Sequence, residues 1–458
     1  MADRRSGSHR LGYFAGGVLA GLAGTLLYEA LKPERRFSPR LLRESREHPD
    51  LPATVILPGI LGSRLERPDG SEAWLNVGNV FGHHDLRLPA VLPWKTSRDS
   101  LRPFGLIGVD AVIPRLFGFT EYADLLGLLE DAGFHRNVRA GGGGGAVFHV
   151  FTYDWRRDLV DSAQRLGEYL DALAAARGEK DARFNLVGHS MGGLVARYYL
   201  RYGDAEPGGP VTWAGARRIS QLILVATPNS GSIFSLDAAL NGNPVGMSNT
   251  TLAARVIAHM PAIYQLMPPR GTMPLIDKKG VPIDLDLHDP ATWQQYAWGP
   301  WKPKSEDDTD EGRAFVSALL ERAGAVHRAL AETPGSVCPV PVTVLGGDCF
   351  PTLAKAAVPE RSGRSPRFEA RTVGEAEIMF EAGDSRVPRS SVLGSHLDVD
   401  GEREWGLPEI SHTFFGDADH HGIYGRPTFQ SVLLRRLLRP VRRPREIDLP
   451  QGSTNLAP

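Results

Sequence analysis

Short apolar runs alternate with amphipathic stretches over most of this chain of 458 residues. The apolar runs predict buried strands, which are Thr54–Gly59, Ala146–Trp155, Phe184–Gly188, Ile219–Pro228, Pro339–Gly347 and Ala376–Asp384. Apolar residues recur at helical spacing in the stretches between them, which are Tyr122–Gly133, Leu159–Ala176 and Met191–Tyr202. This alternation is typical of an α/β fold in which helices cover both faces of a mostly parallel sheet.

The same pattern indicates how the chain is divided. Residues 51–440 carry the alternation and predict one domain. Within it, residues 231–334 lose the pattern and become irregular and rich in Pro, Gly and Trp. We interpret this segment as a cap or lid inserted over the carboxyl edge of the sheet. Residues 441–458 are basic and then polar, and predict a disordered tail.

Residues 1–31 contain an apolar segment, "LGYFAGGVLAGLAGTLLY", that holds no charged side chain. As a helix it would span about 27 Å, close to the thickness of a hydrocarbon core. It predicts a membrane anchor, a cleaved signal peptide, or a buried or interfacial helix, followed by a linker over residues 32–50. The domain is therefore expected to be membrane-associated or exported, but arginines on both sides of the segment leave its orientation open.

Composition and charge narrow the possible partners. The net charge of −1 gives no indication of nucleic-acid binding. Two cysteines, Cys338 and Cys349, do not make a disulfide framework. They could pair in an oxidising compartment, but two buried, unpaired thiols are favoured. His83 and His84 form a single pair in a predicted loop rather than a set with metal-ligand spacing. The sequence therefore predicts no metal and no cofactor.

Ser190 lies in "LVGHSMGGLVARYYL", between a predicted strand and a predicted helix. The motif G-x-S-x-G alone is weak in a chain with 51 glycines, so its context decides its meaning. A nucleophile at a strand-to-helix elbow has a strained backbone, and Gly188 and Gly192 avoid collisions two residues to either side. The pattern therefore favours a nucleophilic Ser190 over a structural serine, and it is typical of the α/β-hydrolase fold.

A serine nucleophile needs a base and a carboxylate that orients the base, and on this fold the acid precedes the histidine in the chain. Asp348 and Asp384 both end late predicted strands. Asp384 is favoured because "DSRVP" predicts a tight turn that would hold its carboxylate at the sheet edge, although either residue can be an ordinary turn aspartate.

Three histidines in "SHTFFGDADHHGIYGRP" are candidates for the base, namely His412, His420 and His421. His420 is favoured, because it precedes a turn and a terminal helix where the last loop would return to the elbow. The oxyanion of the reaction would need two backbone donors. The N–H of Met191, after the nucleophile, and that of Ile60, after the Pro-Gly turn of the first strand, are the candidates.

Seven segments occur in a fixed order along the chain: "VILPGILGSRLE", "YDWRRDL", "LVGHSMGGLVARYYL", "ATPNSGS", "MPAIYQLMPP", "GDSRVP" and "DHHGIYGRP". Together they resemble the lecithin:cholesterol acyltransferase family of α/β-hydrolases, which includes lysosomal phospholipase A2 and phospholipid:diacylglycerol acyltransferase. The resemblance covers roughly residues 52–438. It implies a serine acyl-enzyme mechanism on lipid esters.

Matched motif by motif, the resemblance implies that Ser190 is the nucleophile, Asp384 the acid and His420 the base. It implies oxyanion donors at Ile60 and Met191. Residues 231–274 match the position of a mobile lid in that family, although their apolar side chains can equally be plain core. In "YDWRRDL" we expect Trp155 to pack and Arg156 to brace a loop, with no catalytic role for either.

The resulting hypothesis is a lipase, phospholipase or O-acyltransferase that works on a lipid substrate at a membrane surface. Transfer to water or to an alcohol is left open, because it depends on how well the covered pocket excludes water. Two alternatives are an esterase for short soluble esters and a catalytically inactive, membrane-anchored scaffold with the same fold.

Overall fold

The computed structural model describes residues 51–75, 86–96, 98–109, 121–136, 146–244, 250–359, 362–397, 403–404 and 406–438. The apolar segment within residues 1–31, the linker, the tail from residue 441, and His83 with His84 lie outside these residues. In the described part of the chain, no helix combines the length and the apolar character needed to cross a bilayer.

The described residues form a central sheet of seven strands, all paired in parallel. In chain order the strands are β1 (Thr54–Leu57), β2 (His135–Arg136), β3 (Val147–Val150), β4 (Phe184–His189), β5 (Ile219–Val225), β6 (Val342–Gly347) and β7 (Ile410–Gly416). Their order across the sheet is β7-β6-β5-β4-β1-β3-β2. Every residue of β1, β4 and β6 is buried, as expected for parallel strands covered on both faces.

Among the described residues, six longer helices accompany the sheet. They are α1 (Glu121–Asp131), α2 (Leu159–Ala176), α3 (Met191–Tyr202), α4 (Ile233–Asn241), α5 (Asp310–Ala331) and α6 (Pro427–Leu437). The bounds of α2 and α3 are those predicted from the apolar spacing. All residues of α3 are buried, because this helix lies between the sheet and other helices. The helix that follows Ser190 is thus packed against other parts of the protein along its whole surface.

Shorter elements complete the described fold. The short helices are Trp94–Thr96, Ala214–Arg217, Ala254–Ile257, Pro261–Gln265, Pro290–Tyr296, Gly299–Trp301, Val373–Met379, Arg389–Leu393 and Ile423–Gly425. The small sheets use strands Ser63–Glu66, Glu72–Trp74 and Arg102–Leu106; Leu275–Ile276, Pro282–Ile283 and Ala356–Ala357; Phe350–Leu353 and Phe380–Gly383; and His396–Leu397 and Arg403–Glu404.

The last predicted strand, Ala376–Asp384, is wrong as a member of the central sheet. Its first four residues, Ala376–Met379, belong to the helix Val373–Met379, and the next four, Phe380–Gly383, form a strand that pairs antiparallel with Phe350–Leu353 in a separate two-stranded sheet. The strand next to β6 at the edge of the central sheet is instead β7. The apolar pattern missed it, and it also missed the two-residue strand β2 at the opposite edge. In β7, residues Ser411, His412 and Thr413 are exposed, because an edge strand has one side in solvent and need not be continuously apolar.

Residues 231–334 lie between β5 and β6, two strands that are neighbours in the sheet. The segment starts at the carboxyl end of β5 and includes α4 and α5. Leu236, Tyr264 and Met267 within it are fully buried. These side chains belong to the same hydrophobic core as the central sheet. The movement of the insertion as a lid stays a prediction.

Candidate active site

Ser190 stands at a sharp bend between the central strand β4 and helix α3. Its backbone has φ 52° and ψ −125°, a conformation that costs energy for a residue with a side chain. A Cβ on Gly188 would lie 2.6 Å from the Cα of Gly193, and one on Gly192 would lie 2.4 Å from the carbonyl oxygen of Pro58. The glycines at both positions are thus required by close approach of the backbone, as the elbow prediction expected.

His420 lies within hydrogen-bond distance of the serine. Its Nε2 is 3.1 Å from Ser190 Oγ, and its Nδ1 is 2.7 Å from Asp384 Oδ2. With Nδ1 as a donor to the carboxylate, Nε2 is free to accept the serine proton. The structure therefore brings Ser190, His420 and Asp384 into one hydrogen-bonded chain, although 230 residues separate the serine from the histidine in sequence.

Asp384 is fully buried and its second oxygen is also bound. Oδ1 accepts the backbone N–H groups of Arg386, at 2.9 Å, and Val387, at 2.6 Å. The carbonyl oxygen of Asp384 accepts the backbone N–H of His420 at 2.8 Å. These bonds form the tight turn that "DSRVP" predicted, and they hold both the carboxylate and the main chain of the histidine.

The other candidate acid and bases lie elsewhere. Asp348 Oδ2 is 3.5 Å from the guanidinium of Arg389, and no contact with His420 is present in the described residues. His412 lies exposed on β7. His421 Nδ1 is 3.4 Å from Glu121 Oε1, and although burial lowers the pKa of His421, the Glu121 carboxylate outweighs it and raises that pKa above its usual value.

The two predicted oxyanion donors flank the elbow. Met191 is the first residue of α3, so its N–H projects from the positive end of a 12-residue helix. Ile60 follows Gly59, which packs against the nucleophile: a Cβ on Gly59 would lie 3.3 Å from Ser190 Oγ. Among the described residues, neither the Met191 nor the Ile60 N–H donates to a protein acceptor. Both remain available to a bound group.

The sequence did not predict two side chains at the site. Tyr122 and His189 are fully buried and contact each other, with Tyr122 Oη 2.9 Å from His189 Nδ1. His189 directly precedes the nucleophile, and a polar residue there inside a buried strand was the signal that could have identified it. Tyr122 gave no such signal, because an aromatic residue on the apolar face of a helix is usually core.

The residues of "YDWRRDL" brace the loops beside the first strand, as expected for Trp155 and Arg156. Trp155 Nε1 donates to the Ser63 carbonyl at 3.0 Å. The buried guanidinium of Arg156 binds the carboxylates of Asp154 and Asp99, at 2.8 and 2.6 Å. Arg156 thus ties two loops together and has no contact with the serine.

The two cysteines take no part in the hydrogen-bonded chain of Ser190, His420 and Asp384. Cys338 and Cys349 are both free, but neither is buried as predicted. Cys338 is half-buried, and Cys349 is exposed because it lies in the bend after the carboxyl end of β6. Burial raises the pKa of Cys338 to about 11. Within the described ranges, no group of three or more potential metal ligands is present.

A parallel sheet with a serine elbow at the end of a central strand defines the α/β-hydrolase class, and this chain has that fold. The family model described as Lecithin:cholesterol acyltransferase matches residues 105–301. The resemblance predicted from the sequence motifs is thereby confirmed. The matched range includes Ser190 and ends before Asp384 and His420.

Similar proteins include a triacylglycerol lipase of Pseudarthrobacter phenanthrenivorans, which is 30% identical over 95 residues. These residues are 20% of this chain and 25% of the relative, so the chain matches about a quarter of that protein's length.

Among solved structures, a chain in the crystal structure of the Tle4–Tli4 complex aligns over 85% of this chain and 99% of its own length. Its sequence identity is 16% and its TM-score is 0.51, a likeness that shows the fold alone. The mature form of Bacillus licheniformis lipase BlEst2 aligns over 85% of this chain and 93% of its own, with 13% identity and a TM-score of 0.33.

Proposed function

We propose that this protein is a serine-dependent hydrolase or O-acyltransferase that acts on lipid esters through an acyl-enzyme. The observation that carries the proposal is the hydrogen-bonded chain from Asp384 through His420 to Ser190 Oγ, at the end of a central strand. A serine hydroxyl attacks esters poorly at neutral pH, and this arrangement supplies the base and the carboxylate that it needs.

In the proposed reaction, Ser190 Oγ attacks the ester carbonyl carbon while His420 Nε2 takes the serine proton. Asp384 stabilises the resulting imidazolium and keeps its ring in place. His420 then gives the proton to the leaving alcohol as the carbonyl–alcohol bond breaks, which leaves the acyl group on the serine. Water or a second alcohol, deprotonated by His420, attacks the acyl-enzyme and releases the acid or the new ester.

Negative charge develops on the carbonyl oxygen during both attacks. The N–H groups of Met191 and Ile60 would bind this oxyanion, since both lie beside the nucleophile without a protein acceptor. Loss of one such donor costs roughly 100- to 1000-fold in kcat in related hydrolases. The helix dipole of α3 favours the same charge.

Lipid esters are the proposed substrate class, either phospholipids or acylglycerols. The match to the lecithin:cholesterol acyltransferase model and the similarity to a triacylglycerol lipase support this choice. Such substrates lie in membranes or lipid droplets, so the protein would work at a membrane surface. The apolar segment within residues 1–31 is consistent with this location, and its role as an anchor stays a prediction.

Replacement of the nucleophile tests the proposal. We expect Ser190→Ala to abolish ester turnover and labelling by a fluorophosphonate probe, because the alanine lacks the hydroxyl oxygen that would carry the acyl group. Ser162→Ala is a matched control, since Ser162 is a buried serine that donates to the Asp158 carbonyl at 3.1 Å, on a helix away from the site. Unchanged turnover by Ser190→Ala would refute the mechanism.

Product analysis separates the remaining alternatives. The protein is incubated with vesicles of labelled phospholipid, and separately with triacylglycerol, each with and without a free long-chain alcohol. Free fatty acid would identify a hydrolase, and an alkyl ester of the added alcohol would identify a transferase. Turnover of dispersed p-nitrophenyl butyrate without any lipid turnover would point to an esterase for soluble esters, and the absence of probe labelling would point to an inactive scaffold.

A further inference from the structure

Tyr122 and His189 form a buried chain of hydrogen bonds that joins two separate parts of the site. The backbone N–H of Gly59 donates to Tyr122 Oη at 2.7 Å. Tyr122 Oη is 2.9 Å from His189 Nδ1, and His189 Nε2 is 3.3 Å from the carbonyl oxygen of His420. The chain thus runs from the turn after β1 to the loop that carries the histidine.

The hydrogen bonds of this chain point in one direction when His189 is neutral. The His420 carbonyl can only accept, so Nε2 of His189 carries a proton and donates to it. Burial, followed by the nearby His420, holds the pKa of His189 well below its usual value, so the ring carries no second proton. Its Nδ1 is then an acceptor, and the Tyr122 hydroxyl, which accepts the Gly59 N–H, donates to it.

At the turn, both sides of the peptide group between Pro58 and Gly59 are held by tyrosines. Tyr153 Oη donates to the Pro58 carbonyl at 2.7 Å, and Tyr122 Oη accepts the Gly59 N–H. The Gly59 carbonyl in turn accepts the N–H of Gly62 at 3.1 Å. Because the N–H of Ile60 belongs to the same planar peptide as the Gly59 carbonyl, its direction is set as well.

At the other end, the main chain of His420 is held on both sides. Its N–H donates to the Asp384 carbonyl at 2.8 Å, and its carbonyl accepts from His189. The imidazole of His420 projects from this doubly bound residue to Ser190. A change in Tyr122 or His189 would therefore loosen an oxyanion donor and the base together.

We propose that Tyr122 and His189 are positioning residues that align the Ile60 N–H and the His420 imidazole on the two sides of Ser190. They act through the main chain and touch neither the ester nor the serine oxygen. This inference rests on the proposed function, because it assigns the two residues to the reaction at Ser190.

The test measures the rate constant and the final extent of labelling by a fluorophosphonate probe, together with kcat and KM on p-nitrophenyl butyrate. Tyr122→Phe removes only the hydroxyl. We expect kcat per labelled site and the labelling rate constant to fall about 10- to 100-fold, as small misplacements of catalytic groups do, with KM little changed. Tyr202→Phe is the control, because its buried hydroxyl donates to the Ala329 carbonyl at 2.7 Å, at the far end of α3.

Substitutions at residue 189 test the other half of the chain and replace Tyr122→Phe if that variant does not fold. An amide in His189→Gln can still donate or accept, so we expect its kcat to lie between those of the wild type and His189→Leu. Variants that melt at lower temperature but keep wild-type kcat per labelled site would show that Tyr122 and His189 are only structural, which would overturn the inference.

Ser190→Ala separates this inference from the proposed function. If Ser190→Ala keeps activity, the proposed function itself fails. If Ser190→Ala is inactive while Tyr122→Phe and both substitutions at residue 189 retain wild-type kcat, the positioning role alone fails.

Discussion

The elbow and the returning C-terminal loops contribute to one site, but they are built in different ways. The elbow lies within residues 184–202, where strand, turn and helix are contiguous and sterics among neighbouring backbone atoms set the position of Ser190. Asp384 and His420 come from turns outside any long element. Asp384 and His420 hold each other through a side-chain hydrogen bond, and His189 binds the carbonyl oxygen of His420. Each of these bonds joins residues that are distant in sequence.

This difference predicts that substitutions in the two regions affect different properties of the protein. A defect at the elbow should strain the core of the sheet and reduce stability, because β4 and α3 are buried along their whole length. A defect in the loops should leave the sheet intact and reduce activity, because those residues contribute orientation rather than packing. The following predictions test this contrast, beginning with the largest expected effect.

Asp384→Asn should lower kcat about 10⁴-fold with little change in stability. The amide retains an oxygen for the N–H groups of Arg386 and Val387, but its nitrogen facing His420 favours the wrong tautomer of the imidazole. Ester turnover and thermal melting measure the two parts of the prediction. Asp348→Asn is the matched control, and the assignment of the acid would be wrong if that variant lost activity and Asp384→Asn did not.

Glu409→Gln should destabilise the protein by about 3–5 kcal/mol, the usual cost of breaking a buried ion pair. Glu409, just before β7, binds Arg197 at 2.6 Å and Arg201 at 3.2 Å on the nucleophile's helix, and all three side chains are buried. Urea unfolding measures the loss. Glu375→Gln, which removes a partly exposed pair with Arg367, should lower stability far less, because solvent screens that pair.

The same glutamate gives a pH dependence with a definite sign. Burial raises the pKa of Glu409, but Arg197 and Arg201 outweigh it and leave that pKa below its usual value. Its stabilisation is therefore present above the unfolded pKa of about 4.3 and is lost as the pH falls through the lower folded value. Between pH 5 and 3, Glu409→Gln should lose stability less steeply than the wild type, and parallel curves would contradict this ion pair.

Gly192→Ala should destabilise the protein by about 1–3 kcal/mol, the typical cost of overpacking. The added methyl carbon would lie 2.4 Å from the Pro58 carbonyl oxygen and 2.5 Å from that of Leu57, and neither backbone atom can move without shifting β1. Thermal and urea unfolding check the loss. The control is Gly374→Ala, where nothing lies within 4 Å of the new atom; equal effects at both positions would mean that the elbow tolerates the methyl group.

Local signals in the sequence predicted most of the sheet and its flanking helices. The bounds of α2 and α3 match because each combines helical spacing with a clear start and end. The edge strand β7 was missed since its outward residues are polar. Ala376–Met379, which lie in a helix, were mistaken for the start of a strand, since a short apolar run alone does not distinguish helix from strand.

The sequence by itself determined the elbow at Ser190, because glycine spacing and a strand-to-helix change act over a few residues. The sequence limited the acid to two aspartates and the base to three histidines. It could not show which of them reach Ser190, because spacing along the chain carries no geometric information when about two hundred residues intervene. Only the tertiary structure decided that Asp384 and His420 meet Ser190. The tertiary structure also decided the contact between Tyr122 and His189. The sequence around a buried tyrosine looks the same whether its hydroxyl binds a distant turn or the side chain only fills the core.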